Sequence, residues 1–320
     1  MVVGAALDEQ GRPVCCQLLS GNATDVKLLL PAIKGMQARF GAGSFCVVAD
    51  REMISQKTLQ ALEAPGSGIE YILGCRMRRQ KEVREEVLGR RGGGYQEVRF
   101  ERKGSAEPLE LQVSEVHIEG RRYIVCFNSE QAKKDAADRQ GIVESLREKL
   151  KTGGDKALVG NKGYRKYLRR DTEAAAFSVD EEKLKEEERY DGTWVLRTNT
   201  TYSAEEVAFQ YKQLWMVEQA FRAVKSVLET RPIYHKCDDT IRGHVFCSFL
   251  ALMLMKELLS RLEAKGKSFE WEDIKGDLQA LREVEIATKG DRYFLRTELR
   301  GCCFDVLKVA DVAVPLTLRR

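Results

Sequence analysis

At 320 residues and 36.3 kDa the chain is long enough to bury a large core as one elaborated domain or two smaller ones. Charged residues make up 32% and hydrophobic residues 43%, and 53 Lys plus Arg against 49 Asp plus Glu leave a formal charge of only +4, too small an excess to establish a nucleic-acid partner. The nine cysteines show no CxxC or Cys/His zinc spacing, nothing at the N-terminus resembles a signal peptide, and the longest apolar run, Val245 to Met255, is too short for a membrane span, so a reducing cytoplasm without membrane contact is the expectation.

Residues 1–20 alternate apolar and polar about Asp8-Glu9-Gln10-Gly11, which predicts a two-stranded hairpin with Asp8 in its turn. After Gly21-Asn22, Thr24 or Asp25 is placed to cap a helix from Val26 to about Phe40. Gly41 to Gly43 end that helix, and Phe45 to Ala49 form a short apolar run of the kind buried on both faces of a sheet, stopping at Asp50. A helix opened by Ser55 and a strand from Ile69 to Cys75 complete an α/β pattern over residues 1–75.

Between Arg76 and Tyr190 the composition changes, and residues 76–190 are taken as a β-rich and helical insertion. Ten basic residues face five acidic ones between Arg76 and Lys103, a block that fits a DNA backbone and a solvated surface about equally well. Strands are predicted at Leu109 to Ile118 and Arg121 to Phe127, then a charged helix from Ala132 to Lys151, and the run Asp180 to Arg189 reads as a solvated helix or connector. Residues 191–265 return to the first pattern, with a strand at Trp194 to Arg197, a helix N-capped by Ser203 with Glu206 three residues on, and a long helix from Ile241 to Leu262. Residues 266–320 form a C-terminal extension whose tail from Glu283 reads as short strands.

In the helix after Ser203, Tyr211, Glu218 and Lys225 stand seven residues apart. At about 100° per residue they return to one edge, with Arg222 close by, beside an apolar stripe of Val207, Leu214, Val217, Phe221, Val224 and Leu228. Spacing alone also suits a charged surface helix. Asp50 sits at the C-terminal end of a buried strand, where open α/β sheets present ligand-binding groups, and strand-end aspartates also serve turns. Paired with Glu218, it would make half of a carboxylate site for Mg²⁺ or Mn²⁺ through oxygen ligands. Two such ions could activate a water or 3′-hydroxyl for an in-line phosphoryl displacement. Tyr211, Arg222 and Lys225 would grip backbone phosphates. His235, Arg231, Trp194 and Trp215 have turn or packing roles beside any role with DNA, His244 fits a satisfied core or capping histidine, and His117 has no visible partner.

These residues resemble the DDE transposases of bacterial insertion sequences, in the group marked by a Tyr-x2-Arg-x3-Glu-x6-Lys signature. Tyr211, Glu218 and Lys225 match its spacing. VVADREMIS is similar to the segment of the second catalytic aspartate, GNATD to the turn before the first sheet-packing helix, and DGTWVLRTN and RPIYHKCDDTIRGHVF to segments flanking the signature helix. The resemblance spans essentially the whole chain. It implies a ribonuclease-H-like core, a mixed sheet with flanking helices interrupted by the β-rich insertion, with Asp50 as second and Glu218 as third acid. It also implies Mg²⁺ or Mn²⁺ in a two-ion site, double-stranded transposon ends as substrate, a nucleoid-associated place in the cytoplasm, and a DNA-assembled homodimer. DNA contacts are expected from Tyr211, Arg222, Lys225, Arg51 and His235, that of Arg222 by its position on the helix and not by a family rule.

Two departures qualify it. Leu214 occupies the signature's arginine position, so Arg222 is the neighbour that could supply that contact. The first catalytic aspartate of the family lies on the strand before the hairpin, and Met1 already falls inside that hairpin. Asp8 does not replace it, and the DNA-recognition segment is missing as well. The expectation is an N-terminally truncated transposase with an unpaired sheet edge that, expressed alone, does not transpose DNA and binds Mg²⁺ weakly. The rival readings are a non-catalytic DNA-binding remnant or regulator, and another ribonuclease-H-like nuclease.

Overall fold

The computed structural model describes residues 2–8, 11–19, 25–40, 45–90, 94–100, 108–152, 158, 160–170, 177–287 and 291–320. In chain order the strands are β1 (Val2–Leu7), β2 (Pro13–Leu19), β3 (Phe45–Ala49), β4 (Ile69–Gly74), β5 (Gln96–Phe100), β6 (Leu109–Ile118), β7 (Arg121–Phe127), β8 (Leu168–Arg170), β9 (Phe177–Val179), β10 (Thr193–Thr198), β11 (Glu283–Ala287), β12 (Arg292–Arg296) and β13 (Leu318–Arg319). The α-helices are α1 (Asp25–Phe40), α2 (Gln56–Leu62), α3 (Ser129–Thr152), α4 (Lys162–Arg165), α5 (Glu181–Glu188), α6 (Ala204–Lys212), α7 (Leu214–Arg222), α8 (Asp238–Ala264), α9 (Trp271–Ala280) and α10 (Cys303–Val309). The chain divides into two compact units, Ala23–Leu214 and a second made of Met1–Asn22 with Trp215–Arg320.

The larger unit is built on a six-stranded mixed sheet in the order β3-β4-β10-β7-β6-β5. β3 and β4 run parallel and every other neighbouring pair is antiparallel. β7 has a near-continuous apolar run because both its faces are covered: Ile124 and Cys126 enter one core with Leu196 and Val207, and Tyr123 and Val125 enter another with Val83, Val87 and Tyr190. β6 divides the same two duties along its length. Leu109, Leu111 and Val113 face the first core, Val116 and Ile118 the second, and the alternation brings Glu115 and His117 out of it. A third core, with Leu29, Ile33, Val47, Leu62, Tyr71 and Leu73, lies where α1 and α2 meet β3 and β4.

β5, β6 and β7 come from residues 76–190, the stretch read from sequence as an insertion, and here they extend the sheet that holds β3, β4 and β10. The rest of that stretch makes a satellite core of Val143, Leu146, Leu158 and Tyr167. The run Asp180 to Arg189 does fold as a helix, α5, yet it is not wholly solvated. Glu187 is only 2% exposed and is ion-paired with Arg78 at 2.8 Å, Lys166 at 2.5 Å and Lys183 at 3.7 Å, so the charge run ties α5 down.

In the smaller unit β1 and β2 form the expected hairpin as a two-stranded sheet of their own. Asp8 is a turn residue: its carboxylate accepts from the Arg12 backbone N–H at 2.9 Å and from Arg12 Nε at 2.7 Å. Leu7 packs in a cluster with Ala220, Leu252 and Met255, and Leu262 joins Ile274, Cys302, Val306 and Val309 in the core of α8, α9 and α10. The tail from Glu283 carries the three-stranded sheet β11-β12-β13, and also the short helix α10 that a reading as strands alone misses. Thr24 and the glycine turn at 41–43 lie outside the described residues, and Asp25, the other proposed cap, is the first residue of α1.

Candidate functional site

β3 ends at Ala49, and Asp50 leaves the sheet with extended backbone (φ −72°, ψ 155°) while its carbonyl accepts from Met53 N at 3.0 Å, closing a short 3-10 turn over Arg51–Met53. Ser55 then caps α2, its Oγ accepting from Thr58 N at 3.1 Å. Register pairs Ala49 with Leu73 on β4, so the next position on that strand, Gly74, lies beside the start of the turn.

α6 approaches from the sheet's other face. Its first turn is held by a capping box between Ser203 and Glu206, and Val207 and Ala208 are fully buried against the sheet. Tyr211, in the last turn, donates its hydroxyl to Asp50 Oδ1 at 2.9 Å. A Cβ at position 74 would stand 2.5 Å from the Tyr211 hydroxyl and 3.0 Å from Arg51 N, so only glycine leaves room for the phenol to reach the carboxylate. Burial, the negative charge of Asp50 and the hydrogen bond to it push the Tyr211 pKa up, against the opposing charge of Arg51. Tyr211 is therefore a neutral, fixed donor at neutral pH, and it sets the orientation of Asp50. Gly74 is the residue that sequence reading passes over. Its only signal is a glycine ending an apolar strand.

The exposed Arg51 side chain approaches Glu52 at 3.8 Å, and its carbonyl accepts from Arg76 Nε at 3.0 Å. Glu218 and Arg222 are exposed one turn apart on α7, and Lys225 is exposed in a π turn over Ala223–Val227. The single helix expected to align Tyr211, Glu218 and Lys225 is therefore corrected. It breaks at Gln213, whose N–H is shared between the carbonyls of Phe209 and Gln210, and it widens before Lys225. The apolar stripe divides with it: Val207 joins the core of the larger unit, while Val224 and Leu228 pack with Ala220 and Leu252 in the smaller. Asp50 and Tyr211 are brought together. Glu218, Arg222, Lys225 and His235 belong to the other unit.

His235 is exposed and its ring meets that of His244 edge-on at 5.4 Å. His244 is a satisfied helix histidine, Nε2 lying 3.0 Å from the carbonyl of Thr230. Trp194 packs against the first core under Lys212, whose Nζ is 4.1 Å from the ring, and Trp215 is exposed. His117, expected to lack a partner, lies 3.4 Å from Glu115. The basic block after Arg76 is partly matched by acids, through Arg78 with Glu187, Arg84 with Glu85 and Arg99 with Glu110.

Asp50 fits as one oxygen ligand of a hard divalent ion. Among the described residues no three His, Cys, Asp or Glu side chains gather into a metal-holding cluster, and no helix among them is long and apolar enough to cross a membrane.

These features define a mixed α/β protein with a carboxylate oriented at the end of a sheet strand. The family model described as Transposase DDE domain matches residues 1–254, and the chain belongs to that family. Its general function is that of a transposase, a protein that acts on DNA. No curated protein and no solved structure matches it.

Proposed function

We propose that the chain is a transposase catalytic domain for metal-dependent cleavage and joining of insertion-sequence DNA ends, in the group with the Tyr-x2-Arg-x3-Glu-x6-Lys signature, on a ribonuclease-H-like core into which residues 76–190 are inserted. Asp50 and Glu218 are the acids, and Mg²⁺ or Mn²⁺ is the cofactor. When bound, the ions would polarise the reacting phosphate and lower the pKa of the attacking water or 3′-hydroxyl. The protein's own part is to hold Asp50 in one orientation through Tyr211, and to grip backbone phosphates through Arg51, Arg222, Lys225 and His235 on the double-stranded ends, in a homodimer assembled on DNA.

The observation that carries this reading is the 2.9 Å hydrogen bond from Tyr211 to Asp50 Oδ1. It joins the first residue of the signature to the strand-end acid across 161 residues of sequence, a link that a merely solvated helix does not need. The test is an electrophoretic shift of insertion-sequence end DNA with and without Mg²⁺, followed by a cleavage assay, on the wild type, Asp50→Asn and Glu218→Gln. A shift that Mg²⁺ strengthens, with cleavage lost in both variants, supports the reading. A shift indifferent to Mg²⁺ and to both substitutions, without cleavage, marks a DNA-binding regulator instead.

A further inference from the structure

A cavity of about 520 Å³ in the larger unit is lined by Arg121 and Arg122 at the start of β7, Arg197 on β10, and Glu63, Tyr71 and His117. Three guanidiniums and one carboxylate give its wall a positive balance. Arg122 and Arg197 are mostly buried, with side chains 17% and 13% exposed, and each is held rigidly. Arg122 donates to the carbonyl of Thr200 at 2.9 Å and to Glu115 at 2.7 Å, Arg197 donates to Glu63 at 2.5 Å, and Arg121 donates to Glu82 at 2.8 Å. Glu82 and Glu115 do not line the cavity, and neither does Glu119, which lies 3.7 Å from Arg121. They fix the guanidiniums from outside it.

A guanidinium has five N–H donors, and the bonds above use two of those of Arg122 and one of those of Arg197, which also shares a hydrogen bond with Tyr71. Arg197 Nε is buried with no hydrogen-bond partner among the described residues. Planar N–H forks held in place suit a tetrahedral oxyanion, because little side-chain entropy is lost when it binds. The site is separate from Asp50: Tyr71 precedes Gly74 by three residues on β4, roughly 10 Å along the strand.

We propose that this cavity binds a phosphate group. Its volume exceeds that of a phosphate ion, so it also admits a phosphate that carries a sugar, as in a nucleic-acid backbone. A free phosphate and a backbone phosphate share this chemistry.

The experiment is calorimetric titration of the full chain with inorganic phosphate, then with a short DNA duplex in competition, with folding checked by circular dichroism. Saturable phosphate binding is expected in the wild type. Arg121→Gln or Arg122→Gln should weaken it about tenfold, as loss of a charge-assisted hydrogen bond does. Glu63→Gln keeps an acceptor for Arg197 but removes the one carboxylate that lines the cavity among the described residues, and should tighten phosphate binding several-fold; a variant that merely loosened the fold would not. Competition by the duplex would identify a backbone source, and lack of competition with retained phosphate binding a free one. Absence of saturable phosphate binding, or binding that the Arg121, Arg122 and Glu63 substitutions all leave unchanged, would overturn the proposal.

Discussion

Asp50 is oriented by a hydroxyl that reaches it only across Gly74, so the three residues are coupled in a way that can be measured. Gly74→Ala forces its new methyl into the Tyr211 hydroxyl and should cost about 1–3 kcal/mol in urea unfolding, as overpacking does. In a Tyr211→Phe background the nearest atom is gone, and the same substitution should cost clearly less. Equal penalties in the two backgrounds would show that Tyr211 is not what Gly74 accommodates. Glu187 gives a second residue-scale test. Burial raises its pKa, but the hydrogen bonds and charges of Lys166 and Arg78 outweigh burial and leave it lowered from 4.5. A carboxylate with a depressed folded-state pKa contributes stability above its unfolded value and loses it as pH falls through the folded one. Glu187→Gln should therefore be destabilising by about 1–3 kcal/mol at neutral pH, and the gap from the wild type should narrow as pH falls below 4.5. Urea unfolding on either side of that pH checks it.

At the scale of the element, α6 is the part on which the site depends most, since its capping box and buried Val207 and Ala208 deliver Tyr211 to the sheet. Ser203→Ala removes the acceptor for Glu206 N and should lower stability by about 1 kcal/mol in thermal or urea unfolding. That cap was legible in sequence, as were the Asp50 strand, the β6–β7 hairpin and the cap at Ser55, because each rests on local chemistry: a turn, a cap or a period. The break at Gln213 was not legible. Val207, Leu214, Val217 and Phe221 keep a helical period straight through it, although the stripe they begin is buried in two different cores. Periodicity reports that a face is buried, and is silent on what buries it. α10 was missed for a related reason, since its seven residues make only about two turns, too few to show a period before packing against α8 and α9 fixes the segment as a helix. Gly74 was beyond sequence reading because its role depends on a hydroxyl 137 positions away in the chain.

At the scale of the whole molecule, a sheet whose cores lie on both faces accounts for the mixed α/β character, and the match over residues 1–254 places the chain in the DDE transposase family. Ile124 lies at the centre of that sheet with no exposure, and Ile124→Ala should cost about 2–5 kcal/mol and lower the unfolding midpoint of the larger unit. The central claim concerns metal. Asp50 and Glu218 are proposed to hold a divalent ion, and cleavage of the protein backbone by Fe²⁺ substituted for Mg²⁺, with ascorbate and peroxide, reads that out without requiring DNA chemistry. The account predicts cuts close to residues 50 and 218 that excess Mg²⁺ suppresses and that Asp50→Asn weakens. Cuts confined to other segments, or cuts near these residues that neither Mg²⁺ nor Asp50→Asn alters, would contradict it.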